Sequence, residues 1–374
     1  MEIEYGLYDF IKENTNFDFD KALEEITEED VLRAINKRKL DKKDFLALLS
    51  DKAIKYLEDI AQKSNKLTKQ YFGNTVLLYT PIYIANYCIN RCAYCGYNHD
   101  NNIHRKKLTM EEIEKECKAV YNKGFRHIIY LTGESPKDTP VEYITQAAKI
   151  MKKYFSSITI EVYPMDVEDY KKVVEAGVDS LTIYQETYDE EIYRKVHLGG
   201  PKRNYRYRLD GLERGCIAGM RSVNLAPLLG LNKWKIEVYK MMLHGLYLRK
   251  KYPSVEVGFS FPRIRPCVGG YNDIFEVSDR DIVQAIIAMR NMFPNCTLNI
   301  STRERAEFRD KLIPLGVNKI SAGSDTSIGG HTMKKDEAGE VQFDVSDSRD
   351  ENEVRRDLRK LGYEPIFKDW VGVL

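Results

Sequence analysis

The sequence predicts an α/β protein built on a (β/α)8 TIM-type barrel, with a helical segment before it and a cap after it. Three observations predict it. Short runs rich in Val, Ile, Leu and Tyr recur eight times between residues 75 and 322, alternating with amphipathic stretches. Gly124, Gly177, Gly219 and Gly316 each stand just before such a run, where a helix must end in a left-handed residue. The whole series occupies about 250 residues, the size of such a barrel. A doubly wound open sheet alternates in the same way, but no Gly-x-Gly-x-x-Gly follows the first run.

The elements follow in order. Residues 1–70 form the helical segment: 45–50 and 53–57 carry apolar residues at helical spacing, among many charges. Strands are predicted over 76–84, 127–132, 158–162, 180–184, 222–226, 255–260, 297–301 and 319–322, which places the barrel within 71–325. Thr109 is an N-cap, followed by Glu111 and Glu112 in the first helical turn. In the tail, 326–374, Gly329-Gly330-His331 is a turn and 350–361 a charged helix that Gly362-Tyr363-Glu364-Pro365 ends. This part is read as a cap over one end of the barrel.

The composition narrows the function. With 374 residues and 43% hydrophobic content the chain can bury a sizeable core. The start, Met1-Glu2-Ile3-Glu4-Tyr5, is acidic and has no apolar core of a signal sequence, and no run of eighteen apolar residues occurs. Free thiols without such a signal point to the cytoplasm, and no membrane is expected. A net charge of +1 gives no electrostatic case for nucleic acid. One run, from Lys202 to Arg208, interleaves bases with aromatics, and is read as a solvated loop and helix start.

The chemistry is concentrated at Cys88, Cys92 and Cys95, spaced C-x3-C-x2-C, with Tyr94 before the last thiol. Three thiolates in one short loop can hold three irons of a [4Fe–4S] cluster and leave the fourth open to a ligand. A zinc site ordinarily takes four protein ligands, often as two C-x2-C pairs, and only one pair is present. A fully ligated ferredoxin-type cluster needs a fourth cysteine nearby, and Cys117 is on a predicted helix. Cys117, Cys216, Cys267 and Cys296 are read as packing thiols. His197 and His331 are read as hydrogen-bonded loop histidines.

In a barrel of this kind the active site lies at the C-terminal strand ends. Here those ends are polar: the cysteine loop, Thr132-Gly133-Glu134, Glu161 with Tyr163, Gln185-Glu186, Asn224, Arg263 with Arg265, Ser301 with Arg303, and Ser324-Asp325. They point to one shared pocket.

The cysteine spacing, Tyr94 and a barrel whose first strand runs into the loop together resemble the radical S-adenosylmethionine (radical SAM) superfamily. The resemblance implies a [4Fe–4S] cluster on Cys88, Cys92 and Cys95, with S-adenosylmethionine on the open iron. Tyr94 would belong to the cofactor site. Thr132, Gly133 and Glu134 match the second-strand motif that receives the methionyl amine, and Glu161 is placed to meet the ribose hydroxyls. Further short runs resemble the tyrosine-cleaving branch of that superfamily: Gln185-Glu186-Thr187-Tyr188, Tyr193 to His197, Gly200-Pro201-Lys202, Ile300 to Glu304, Ser321 to Ser324 and Gln342-Phe343-Asp344. This likeness extends from about residue 40 to the end.

It implies hydrogen abstraction from the amino group of L-tyrosine and cleavage of its Cα–Cβ bond, giving 2-iminoacetate (dehydroglycine) and p-cresol for thiamine thiazole synthesis. Ser301 and Arg303 would hold the tyrosine carboxylate, since a guanidinium binds carboxylate through two parallel hydrogen bonds. An ion pair of Arg303 with Glu304 or Glu307 is the competing reading. Gln185 and Arg208 are further cofactor or substrate candidates. Implied partners are reduced flavodoxin or ferredoxin as electron donor and thiazole synthase (ThiG) as recipient of the imine.

One arm of the branch, which matures hydrogenases, continues Gly-Tyr-x-Pro-x-Phe with Cys-x-x-Cys for a second cluster. Here Gly362 to Phe367 continues as Lys368-Asp369-Trp370, and no cysteine follows Cys296, as in the thiazole arm. The rivals are a radical enzyme acting on another small molecule and, outside catalysis, a zinc-stapled RNA-binding module.

Overall fold

The computed structural model describes residues 6–334 and 337–368. Eight parallel strands form the barrel: β1 (Thr75–Ala85), β2 (His127–Thr132), β3 (Ser157–Glu161), β4 (Ser180–Glu186), β5 (Ser222–Pro227), β6 (Glu256–Ser260), β7 (Thr297–Ile300) and β8 (Lys319–Ser321). Each pairs with the next. β8 pairs with β1 at Leu77–Tyr79, and β1 pairs with β2 from Thr80 onward, so the ring is closed. An open sheet is excluded by that closure.

Alternation along the strands separates two layers. On β7, Leu298 and Ile300 are buried toward the helices while Thr297, Asn299 and Ser301 face the lumen. On β4, Leu181 and Ile183 pack outward, against Gly215 and Gly211 of the surrounding helix, while Thr182 and Tyr184 face in. The helices carry their own start signals. Thr109 accepts from the Glu112 backbone while the Glu112 side chain returns to the Thr109 backbone, and Ser278 with Asp281 does the same. Gly124, Gly177, Gly219 and Gly316 all adopt positive φ where the following strand begins.

Before the barrel the described residues form helices between Leu7 and Phe72, with one irregularity. Asp51–Tyr56 is a 3-10 turn, and the regular helix begins only at Leu57 and runs to Phe72. After the barrel, Glu351–Lys360 is a helix capped by Asp350. The run expected to end it does more than that. Glu364–Ile366 forms a ninth strand, β9, parallel to the first residues of β1 on the edge that β2 takes over further along. Pro365 is tolerated there because the strand is short and peripheral. The Lys368-Asp369-Trp370 ending lies outside the described residues from Asp369 onward.

Two buried arginines tie the ends of the barrel together. Arg290 donates to the carbonyls of Gly316, Pro294 and Cys296 and to Asn318, fastening the turns that lead into β7 and β8. Arg309, also fully buried, pairs with Asp347 and donates to the Ser321 carbonyl. It thereby fixes the chain after β8 against the barrel rim.

Candidate active site

The cysteine loop is held by its own side chains and by two neighbouring segments. Asn86, just past β1, binds the returning chain through its amide: Nδ2 to the His104 carbonyl at 2.9 Å and Oδ1 from the Lys106 amide at 2.7 Å. Arg105 then donates to the carbonyls of Asn86, Tyr97 and Asn98 at 2.6–2.9 Å, clamping both ends of the loop. On the other side, Arg91 and Ala93 donate to the backbone of Gly199 and Val196, and Leu198 donates back to Arg91. Beneath it, Gly133 at the end of β2 lies so close that a Cβ there would stand 2.3 Å from the Tyr87 carbonyl oxygen. Gly200, at φ +87°, is pressed against Asn90 in the same way.

Cys92 is buried and Cys88 and Cys95 are half-buried, all as free thiols. Burial pushes the Cys92 thiol up to about 12 and the Cys95 thiol up to about 11. Their thiolates therefore need a cation bound directly to sulfur. Among the described residues no three His, Cys, Asp or Glu side chains converge tightly enough to hold a single metal ion. A cubane takes each thiolate on its own iron, and three cysteines in one loop supply three of its four irons. The donor set fits a [4Fe–4S] cluster.

Below the loop a cavity of about 110 Å³ runs down the barrel axis. A smaller one of about 60 Å³ beside Cys95 and Tyr94 shares Glu161, Tyr184, Arg303, Gln342 and Phe343 with it. Cysteine loop and lumen thus meet in one space. Glu161 ends β3 in that space, and burial raises its carboxyl to about 7. Glu186, at φ +73°, ends β4. Burial works against its charge, but Lys202 at 2.6 Å and Arg208 at 3.4 Å outweigh it and keep its pKa below the usual carboxylate value.

Ser301 and Arg303 both line the lumen. Arg303 lies over the Phe343 ring, 3.5 Å from its centroid, and makes no ion pair among the described residues. The competing pairing with Glu304 does not form, because Glu304 is held by Arg263.

The remaining candidates divide. Thr132 ends β2 with its hydroxyl oxygen buried and unpartnered. The Glu134 carboxylate accepts from Asn90. Tyr94 turns its hydroxyl to His197 Nε2 at 2.7 Å, and burial together with Lys202 and Arg208 holds that histidine neutral. His331 meets the Pro81 carbonyl, so both histidines are hydrogen-bonded loop residues. Arg208 is buried, donates to the Tyr184 carbonyl and pairs with Glu186. Gln185 is buried with no partner for its amide, and it does not line either cavity. It follows the outward register of Leu181 and Ile183, so it is not brought to the shared space.

The basic run differs from expectation only at its two ends. Arg208 is buried and Lys202 half-buried on Glu186, while Arg203, Asn204, Arg206 and Tyr207 between them are exposed on a turn and helix start, as expected. Lys202 and Arg265 both border the space near Cys95; Arg265 was among the polar strand ends, whereas Lys202 was given no role. The only sequence signal for Lys202 was its place in Gly200-Pro201-Lys202.

A three-thiol loop over the polar mouth of a closed parallel barrel defines a radical SAM enzyme. Residues 82–242 match the radical SAM superfamily, and residues 260–364 match the Biotin and Thiamin Synthesis associated domain. The chain is 39% identical to the 2-iminoacetate synthase of Salmonella typhimurium over 92% of its length and 91% of that protein. It is 38% identical to the 2-iminoacetate synthase of Escherichia coli over 93% and 92%. The crystal structure of HydG, a maturase of the [FeFe]-hydrogenase, superposes with a TM-score of 0.90 at 32% identity, covering 96% of this chain and 81% of that one. The chain belongs to the radical SAM superfamily and, within it, to the family of the 2-iminoacetate synthases. Membership implies a [4Fe–4S] cluster and S-adenosylmethionine.

Proposed function

We infer that the protein is a radical SAM carbon–carbon lyase that cleaves the Cα–Cβ bond of L-tyrosine to 2-iminoacetate and p-cresol for thiamine thiazole synthesis. The observation that carries this reading is an arginine, Arg303, with no carboxylate partner among the described residues, at the rim of a lumen that opens beneath Cys95. The names and near full-length identity of the relatives support it, and the 39% identity to a 2-iminoacetate synthase favours it over a hydrogenase-maturing role.

Cys88, Cys92 and Cys95 would hold the cluster. When bound, cluster and S-adenosylmethionine supply a carbon-centred radical that takes a hydrogen atom from substrate. Thr132, Gly133 and Glu134 would seat the methionyl amine, and Tyr94 and Glu161 the nucleoside. Arg208, locked to Glu186, brings positive charge to the cofactor's side of the mouth. Arg303 and Ser301 would take the tyrosine carboxylate and so fix its amino group near the rim. Phe343, beneath Arg303, and Gln342 exclude water from that corner. We assign residues 1–70 and 326–374 to supporting and covering roles around the barrel at 71–325. Flavodoxin or ferredoxin in its reduced form would deliver the electron, and thiazole synthase would accept the short-lived imine. No described helix is long and apolar enough to cross a membrane, and a cytoplasmic site of action follows the free thiols.

The test is anaerobic incubation of the iron- and sulfide-reconstituted protein with S-adenosylmethionine, a reductant and tyrosine. Deoxyadenosine, p-cresol and glyoxylate (from hydrolysis of the imine) are expected together. Deoxyadenosine without p-cresol would assign the radical chemistry to another substrate.

A further inference from the structure

Asn299 stands two residues below Ser301 on the inward face of β7, about 7 Å down the strand. It is 6% exposed. Its Nδ2 donates to the Tyr79 hydroxyl and to the Ser260 hydroxyl, both at 3.0 Å, and Ser260 also accepts from Asn224 at 2.9 Å. The Asn299 Oδ1 is buried with no partner among the described residues. Turning the amide over would satisfy the oxygen and strand the nitrogen, so one polar end is unmet either way. Unmet buried polar atoms are uncommon in folded proteins, and this one lines the cavity that Arg303 caps.

The surroundings are unusual for a barrel. Such lumens are ordinarily filled by layers of branched aliphatic side chains. Here Tyr79, Tyr184, Ser260, Asn224 and Asn299 supply hydroxyls and amides at mid-height, while Ile129 and Leu131 of β2 supply an apolar wall. A flat ring lying along that wall would carry a para substituent down to Asn299, with its α-carboxylate at the height of Ser301 and Arg303.

We propose that Asn299, braced by Tyr79 and Ser260, receives the phenolic hydroxyl of the substrate and selects tyrosine over phenylalanine. This rests on the tyrosine lyase reading above. A phenol both donates and accepts, so it satisfies whichever end of the amide faces the lumen. A site built to hydrogen-bond a substrate hydroxyl discriminates against the analogue that lacks it, because that analogue leaves the buried group unmet.

The test uses the reconstituted full chain and its Asn299→Leu and Asn299→Asp variants. p-Cresol formation is followed against tyrosine concentration, with phenylalanine as competing inhibitor. Asn299→Leu is expected to raise the tyrosine KM by about tenfold or more and leave the phenylalanine inhibition constant within about twofold. Asn299→Asp, of the same shape and still polar, is expected to keep tyrosine recognition. An unchanged tyrosine KM in Asn299→Leu overturns the proposal. So does a parallel rise of both constants, which marks a packing residue. Iron content and thermal melts report whether Asn299→Leu folds; if it does not, Tyr79→Phe and Ser260→Ala, which slacken the amide without removing it, are read by the same comparison. A wild-type protein that makes no p-cresol overturns the lyase reading instead, a separate outcome.

Discussion

The side-chain amide of Asn90 donates to the Glu134 carboxylate across 2.5 Å while its Oδ1 accepts from the Lys202 backbone at 2.9 Å. A residue between Cys88 and Cys92 thus positions both the end of β2 and the segment that carries Lys202. Asn90→Ala frees Glu134 without touching a thiol. The variant is expected to retain wild-type iron and sulfide but to bind S-adenosylmethionine about ten- to a hundredfold more weakly, the worth of a hydrogen bond to a charged group. Anaerobic equilibrium binding checks this, and loss of iron in parallel with affinity would refute it.

Cys92 is the most enclosed of the three loop thiols. Its replacement by Ala is expected to remove the visible cluster absorbance and bring deoxyadenosine formation to background. Cys117→Ala, on the helix Met110–Asn122, should change neither. Retained turnover in Cys92→Ala would overturn the assignment of the loop.

Glu161 carries a pH signature. Burial raises its carboxyl from 4.5 to about 7, with Arg303 opposing. The folded state therefore binds this proton more tightly than the unfolded chain does. The resulting stability is fully present below about 4.5 and is lost as pH rises to about 7. Thermal melts of the cofactor-free protein across that window should show a fall that Glu161→Gln lacks. Identical pH profiles for the two proteins would contradict the burial of this carboxyl.

The Arg309–Asp347 pair predicts the opposite slope. Burial works against the Asp347 charge, but hydrogen bonds from Arg349 and the charge of Arg309 outweigh it and hold the carboxyl below 3.8. Its stability is present above that value and lost as pH falls through the lower, folded one. Asp347→Asn leaves Arg309 buried without its counter-charge and is expected to cost about 3–5 kcal/mol in denaturant unfolding. A loss below about 1 kcal/mol, the worth of an exposed pair, would contradict it.

The eight barrel strands were legible because each is a compact apolar or alternating run bounded by a glycine or a polar helix start. β9 was not, since three residues around Pro365 carry no such pattern and are strand only because the entry edge of β1 is free beside them. At the site, the gathering of Cys88, Cys92 and Cys95 in one loop after β1 was legible from spacing alone. Arg208 was a candidate only through the resemblance, and Lys202 was given no role: a basic run looks solvated until a buried carboxylate, Glu186, is found beneath its ends, and that meeting depends on how β4 and the chain after it fold back. Asn299 was hidden for a related reason. Inside a strand, an amide and its apolar neighbours read as ordinary alternation, and only closure of the ring shows that the polar side is the inner one.

The hydroxyl- and amide-lined lumen separates two tasks that most barrels merge. Cohesion here comes from the outer layer, where Leu181, Ile183, Leu298 and Ile300 meet the surrounding helices. The axis adds a second, mixed layer, in which Ile129, Leu131, Val223 and Val257 are buried among hydroxyls and amides. The outer layer thus holds the strands to the helices, while the polar inner positions Asn224, Ser260 and Asn299 are the ones that meet whatever enters the axis.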